Sequence, residues 1–498
     1  FPFLEGFSEQ VKVMQLFSLL VNVSSLVILS SSIRVAKPLS NATVDPGIVF
    51  TTLSRFDKSS WTESHLSPLK LQASSLSEMP GTFVSHRQML VLISQLNATS
   101  LAKRTRTRFG DAADVGELRP RGVLRLEDLD GSEYAGEIEV GTKNGSSQAR
   151  LRVIFDTGST DLWVLSDLCQ RPPCTRKGRH SFDHKSSETF SAPQQPTQVS
   201  SLYGSGALTG ILGFDTVKVG PLRVQNQMMG LISQEIGKSF EELAFDGLMG
   251  LGFPSLGFDV PGVAPFVDSL IHQGSLPTPC FGFYLHRDPR RGGAVLWGGA
   301  DTRLYHGPLR WFPVDEEAYW SLDLMSFRIG EHAFDFKRPT RGKNIQFMQH
   351  REPSVRKPRF VVDSGTTFFM IPSFMESAFH AEIGFGPKQC SELASIPPLV
   401  FQIKGEPGEK EELIVKAEEF MIRTPLLDDV CFPAVVTLDM DDDEMPIMII
   451  GEVFMRNYFT VFSRGTDGKQ SRVGFARSKE DKEAEAFFAD AVVVAGSQ

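Results

Sequence analysis

Val153-Ile-Phe-Asp156-Thr157-Gly158-Ser159-Thr160 reappears later in the chain as Phe360-Val-Val-Asp363-Ser364-Gly365-Thr366-Thr367. Each stretch is an apolar run that ends in Asp and continues as hydroxyl, glycine, hydroxyl, hydroxyl. Each is later followed by two large apolar residues and a glycine, Leu248-Met249-Gly250 and Ile449-Ile450-Gly451, at Asp-to-Gly spacings of 94 and 88 residues. A single Asp-Thr-Gly is an ordinary turn, since turns are built from such residues. The whole pattern recurring at matched spacing is the mark of an internal repeat. The chain therefore reads as two homologous lobes, each contributing one carboxylate.

Chemistry follows if the two carboxylates meet at a pseudo-twofold axis. Two Asp side chains about 3 Å apart cannot both ionise, so the pair shares one proton. The ionised member can take a proton from a water while the protonated member polarises or protonates a carbonyl. Gly158 and Gly365 carry no Cβ, so the two turns can approach and their N–H groups can hold the carboxylates coplanar. Hydroxyls at Thr157 and Ser364 can tie one lobe's loop to the other. Those at Ser159 and Thr366 can donate to the outer carboxylate oxygens, which favours the ionised form.

Around this repeat, from about Leu126, short apolar runs alternate with Gly and Pro, as in Tyr134-Ala-Gly-Glu-Ile-Glu-Val140, Leu151-Arg-Val-Ile-Phe155 and Ala294-Val-Leu-Trp297. That texture predicts a mostly β fold. The first lobe is placed at 126–302 and the second at 303–478. An acidic C-terminal extension at 479–498 contains Glu480-Asp-Lys-Glu-Ala-Glu485 and is open to two readings, a helix or a disordered tail. Residues 36–125 show no sustained period of 2 or 3.6 and carry basic runs at Lys103-Arg-Thr-Arg-Thr-Arg108 and Arg119-Pro-Arg121. They suit a solvated linker or a basic prosegment. A nucleic-acid arm is disfavoured, because no interleaved aromatics accompany them. Within residues 1–35, Lys12 precedes an apolar run from Leu16 to Leu29, too short to span a bilayer. A signal peptide starting at Met14 fits that length, with a signal-anchor or a buried helix as alternatives.

The 498 residues suffice for sizeable cores, and a mean hydropathy of −0.11 excludes both wholesale disorder and a polytopic membrane protein. A net charge of −9 argues against a nucleic-acid binder working by global attraction. Cys169 and Cys174 have no neighbouring Cys or His set at zinc-ligand spacing, so a zinc site is not read there; neither a metal nor a cofactor is expected. No Gly-x-Ser-x-Gly elbow supports a serine hydrolase. Sequons stand at Asn41, Asn97 and Asn144.

These residues resemble the pepsin-like aspartic proteases over nearly all of 126–477. The two motifs of that family are matched by Phe155-Asp-Thr-Gly-Ser-Thr-Asp-Leu-Trp-Val164 and Val362-Asp-Ser-Gly-Thr-Thr-Phe368. Its flap is matched by Leu202-Tyr203-Gly204-Ser205-Gly206 and the residues up to Thr216. Phe245-Asp-Gly-Leu-Met-Gly-Leu-Gly252, Leu296-Trp-Gly-Gly-Ala-Asp301 and the run from Gly451 to Val461 follow in the family's order. The short second motif and the long amino-terminal region are similar to those of the apicomplexan plasmepsins.

The resemblance implies a bilobal endopeptidase with the active-site cleft between its lobes, Asp156 and Asp363 as the catalytic pair, and Tyr203 as a flap tyrosine whose hydroxyl reaches the Trp163 indole N–H. Read from residues alone, Tyr203 beside Gly204-Ser205-Gly206 suits a mobile hairpin tip and a surface tyrosine equally. Substrate contacts are implied for Tyr203, Gly204, Ser205, Gly158, Gly365 and Thr366. An apolar pocket lined by Phe245 and Leu248 is implied as well. So are disulfides joining Cys169 to Cys174 and Cys390 to Cys431, which leaves Cys280 as a buried apolar residue. A zymogen on the secretory route is expected, active in an acidic vesicle, secretory organelle or extracellular space. Its partners would be protein or peptide substrates and its own prosegment as intramolecular inhibitor, with no nucleic acid. It would act as a monomer, bound to a membrane only if the N-terminal apolar segment is retained.

Departures from the family pattern are Asp161, Glu452 and Ser463, expected near the active-site loops and to affect the working pH. A basic insertion within 337–359 and an acidic loop at Asp439-Met-Asp441-Asp-Asp-Glu444 read as solvated. A fold of this kind that binds peptides without cutting them is the competing function. The chain keeps both Asp residues, the glycines and the flap tyrosine.

Overall fold

The computed structural model describes residues 37–38 and 120–495, with breaks at 130–132, 204–205, 238–239, 242–244, 258–262, 335, 337–357, 385, 407–409, 424–428, 439–445 and 466–469. The basic run at 103–108, nearly all of the insertion and the acidic loop lie outside the described residues. So do most of the amino-terminal residues, apart from a two-residue strand, Lys37–Pro38, paired with Thr197 and Gln198.

The fold is mostly β and bilobal. The first lobe contains β1 (Gly122–Leu129), β2 (Glu133–Lys143), β3 (Ser146–Asp156), β4 (Leu162–Leu165), β5 (Thr197–Tyr203), β6 (Gly206–Val219), β7 (Leu222–Ile236), β8 (Gly247–Gly250), β9 (Cys280–Leu285) and β10 (Gly293–Trp297). Asn144 and Gly145 both take positive φ, the geometry a two-residue hairpin requires, and so join β2 to β3. The second lobe contributes β11 (Tyr305–Glu317), β12 (Trp320–Ile329), β13 (Arg359–Val362), β14 (Phe369–Pro372), β15 (Val435–Leu438), β16 (Ile447–Ile450), β17 (Tyr458–Ser463) and β18 (Arg472–Ser478).

The sequence repeat becomes a topological one. In the first lobe β3 runs parallel to β8, with Asp156 opposite Gly250; β4 is antiparallel to β8 and parallel to β7. In the second lobe β13 runs parallel to β16, while β14 is antiparallel to β16 and parallel to β15. Each Asp-bearing strand thus ends beside a short strand that is covered by a loop of its own motif. A strand buried on both faces reads as a continuous apolar run, as Leu248-Met249 does, while in the second lobe Ile450 is buried and Ile449 half-buried. The glycine closing each short strand is required by close approach. A Cβ at Gly250 would overlap the Thr160 backbone, and one at Gly451 the Thr366 carbonyl.

The lobes are joined by a six-stranded antiparallel sheet in the order β1-β10-β9-β17-β18-β11, three strands from each lobe. A large core spans both lobes, and a smaller cluster gathers around Trp163. A third cluster, including Cys280, Tyr284 and Phe459, is completed by Ala484 and Phe487 of the C-terminal helix Lys482–Ala495. Tyr284 Oη donates to the Lys479 carbonyl at 2.8 Å, Arg125 to the Phe488 carbonyl at 2.7 Å, and Arg303 pairs with Asp490 at 2.7 Å. The extension is therefore a packed helix. Disulfides join Cys169 to Cys174 and Cys390 to Cys431, and Cys280 is buried with its thiol pushed up to about 12 by burial. Ser463 ends β17 opposite Cys280 and Arg472, so ladder pairing places it in the interlobe sheet and not in a motif loop.

Candidate functional site

Asp156 is the last residue of β3 and Asp363 follows β13; both side chains are buried. Their turns are held by matching bonds. Gly158 N–H donates to Asp156 Oδ1 and Gly365 N–H to Asp363 Oδ1, each at 2.8 Å. Ser159 Oγ donates to Asp156 Oδ2, and Thr366 Oγ1 to Asp363 Oδ2 at 2.8 Å. Across the lobes, Thr157 N–H donates to Ser364 Oγ at 3.0 Å and Ser364 N–H to Thr157 Oγ1 at 2.9 Å. The two hydroxyls donate onward, Thr157 to the Val362 carbonyl at 3.0 Å and Ser364 to the Phe155 carbonyl at 2.7 Å. The hydroxyls of Thr157, Ser159, Ser364 and Thr366 are thereby committed, and the two turns are tied to each other.

This network brings the two carboxyls within hydrogen-bonding reach of each other. Burial lifts the Asp156 carboxyl well above the usual range, the neighbouring Asp363 charge adds to the shift, and the Ser159 hydroxyl opposes it. Gly365 is there because nothing larger fits. A Cβ on it would lie 2.6 Å from Asp156 Cγ.

Tyr203 ends β5 opposite Gly206 of β6, so it stands at the tip of a long hairpin; Gly204 and Ser205 lie outside the described residues. Trp163 in β4 packs edge-on against Phe240 at 6.2 Å and Phe245 at 6.1 Å. Phe245 and Leu248 have no exposed surface, being enclosed by this cluster. Asp161 is buried behind the first motif, where its carbonyl accepts the Gly250 N–H at 3.0 Å. Glu452 follows β16 and Gly451, and its N–H donates to the Thr366 carbonyl at 2.8 Å.

One neighbour escaped sequence reasoning. Glu133, at the start of β2, is fully buried, and neither of its carboxyl oxygens has a hydrogen-bond partner among the described residues. Burial, then the charges of Glu452, Asp156 and Asp363, hold its carboxyl well above the usual range. Glu452 is raised by burial too, against the pull of Arg456, which sits 3.4 Å away and also donates to Tyr134 Oη at 3.1 Å. A lone Glu before an apolar strand carries no signal of such placement.

A family profile for eukaryotic aspartyl proteases matches residues 133–478, a span that includes both turns. This chain belongs to the pepsin-like aspartic proteases. Among its relatives, gastricsin of Suncus murinus is 32% identical over 355 residues, covering 69% of this chain and 81% of its own length. Human gastricsin is 32% identical over 352 residues with the same coverages, and rabbit (Oryctolagus cuniculus) pepsin II-1 is 32% identical over 349. The aspartic protease described here is an endopeptidase that hydrolyses peptide bonds of protein substrates.

Proposed function

We propose that Asp156 and Asp363 carry the hydrolysis by sharing one proton and activating a water between them. The observation that carries this is the mutual reach of the two buried carboxyls, each fixed by an equivalent N–H and hydroxyl. The ionised carboxylate takes a proton from the water as its oxygen attacks the carbonyl carbon. The protonated carboxyl hydrogen-bonds the carbonyl oxygen and protonates it as the tetrahedral species forms. Collapse of that species returns a proton to the departing amine. No covalent intermediate with the enzyme is needed.

Tyr203, with Gly204 and Ser205, would close over an extended peptide, and Gly158, Gly365 and Thr366 would flank it. Phe245 and Leu248 would shape an apolar pocket, giving a preference for apolar residues around the cut. The protein would be made as a zymogen on the secretory route. Its basic prosegment at 36–125 would lie on an acidic cleft until carboxylates protonate or the segment is cut. It would work as a monomer in an acidic vesicle, secretory organelle or extracellular space. Among the described residues no helix is long and apolar enough to cross a membrane.

The test is cleavage of a peptide library by purified protein between about pH 4 and 7, with Asp363→Asn alongside and mass spectrometry of the protein for self-processing. Activity lost in the variant supports the carboxylate pair. No cleavage by either protein after removal of the leader up to about Arg121 would favour a peptide-binding protein.

A further inference from the structure

Arg179 lies in the loop after the Cys169–Cys174 disulfide and Glu235 near the end of β7, yet both side chains are almost wholly buried, at 1% and 0% exposure. The pairing is bidentate, Nη1 to Oε2 at 2.7 Å and Nη2 to Oε1 at 2.9 Å. Such a fork fixes the guanidinium in plane as well as in place. Nη1 also donates to the Phe240 carbonyl at 3.3 Å, and the guanidinium stands 5.3 Å from the centre of the Phe245 ring. The next residue, His180, donates its N–H to Asp246 at 2.6 Å, immediately after Phe245. The loop is thus clipped to both ends of the segment carrying Phe240 and Phe245.

Those two rings and Trp163 form a trio with centroids 6.1 to 6.2 Å apart, each phenylalanine edge-on to Trp163 and the two tilted at 53° to each other. Ile154 and Leu248 complete the cluster, and Ile154 is two residues from Asp156 in β3. The trio therefore shares one cluster with a residue of the strand that ends in the first carboxylate.

We propose that the Arg179–Glu235 pair is a positioning device that holds Trp163, Phe240 and Phe245 in place, and so sets the size of the side chain accepted beside the cut. This rests on the reading of Phe245 and Leu248 as pocket residues. Burying two charges costs more than burying apolar groups of the same shape, so stability alone does not account for the pair. What a bidentate pair adds is a defined position for whatever it touches, here one carbonyl and one ring.

The experiment uses the purified full-length chain and peptides in which the two residues flanking the cut are varied in turn among Ala, Leu and Phe. Wild type, Phe245→Ala, Arg179→Met, Arg179→Lys, Glu235→Gln and the double variant Arg179→Met/Glu235→Leu are compared. Arg179→Met should change the Phe-over-Ala ratio of kcat/KM about tenfold or more, mainly through KM. Arg179→Lys should recover only part of it, because an ammonium cannot reproduce the fork. The double variant removes both charges, which keeps the test available if the single ones fold poorly, and it should show the same altered ratio. If Phe245→Ala changes the ratio but the folded double variant does not, the positioning role is overturned and the pocket reading survives. If Phe245→Ala leaves the ratio unchanged, the pocket reading fails and the proposal falls with it.

Discussion

At the scale of single residues, the site depends on atoms that are absent as much as on those present. The carboxyl of Asp156 occupies the space where a Cβ of residue 365 would project. Gly365→Ala must therefore push that carboxyl aside or open the second turn. Misplacement of a reacting group by an ångström costs about 10²-fold in rate. Steady-state kinetics of Gly365→Ala should show a fall of that order in kcat with a smaller change in KM. An unchanged kcat would mean that the pair tolerates displacement.

At the scale of elements, each lobe's turn is anchored to the other lobe through Thr157 and Ser364. Ser364→Ala would strip the Thr157 N–H of its acceptor and the Phe155 carbonyl of its donor, both in a buried place. An unsatisfied buried group costs about 1–3 kcal/mol. Urea unfolding should show a loss in that range for Ser364→Ala and a similar loss for Thr157→Val. The two-lobed plan and these bonds were legible because the repeat places identical residue types at identical steps. The pair Arg179–Glu235 was not, since its members stand 56 residues apart and each alone looks like a solvated charge. Glu133 was hidden for the same reason, the charges that act on it most, Glu452, Asp156 and Asp363, being 23 residues away or more. The extension has Ala484, Phe487 and Phe488 at helical spacing, but its acidic residues suit helix and disorder alike, and the difference is made by the apolar cluster beneath it.

At the scale of the whole molecule, buried acids bias stability towards low pH, two of them outside the Asp156–Asp363 pair. Glu133 and Glu452 hold protons in the folded chain at pH values where the unfolded chain, with an ordinary carboxyl near 4.5, has released them. Their contribution is fully present below that value and is lost as pH rises through the raised folded-state values. Thermal midpoints should fall from acid towards neutrality. Glu133→Gln, which mimics the protonated acid, should flatten that fall by about 2 °C for each kcal/mol relieved. Calorimetry across pH decides it, and parallel profiles would clear Glu133 of the effect. A second prediction concerns the C-terminal helix. Removing residues after Lys479 uncovers the cluster that Phe487 completes, and burial of one such ring is worth roughly 1.5–3 kcal/mol. The shortened protein should melt lower, and Cys280 should react faster with a thiol reagent. Unchanged labelling and melting would make the helix dispensable.

The outermost strand of the interlobe sheet also bounds where a cut releasing the proposed prosegment could fall. Arg121 N–H donates to the Trp297 carbonyl at 2.7 Å, and from Gly122 onward the chain is zipped to β10 through Leu126. A maturation cut at or before residue 121 trims a hem and leaves the seam between the lobes intact. One placed a few residues later would pull a strand out of that seam. If the proposed prosegment is removed by a cut, the basic tripeptide Arg119-Pro-Arg121 thus marks the last place along the chain where that cut could fall without unstitching the seam.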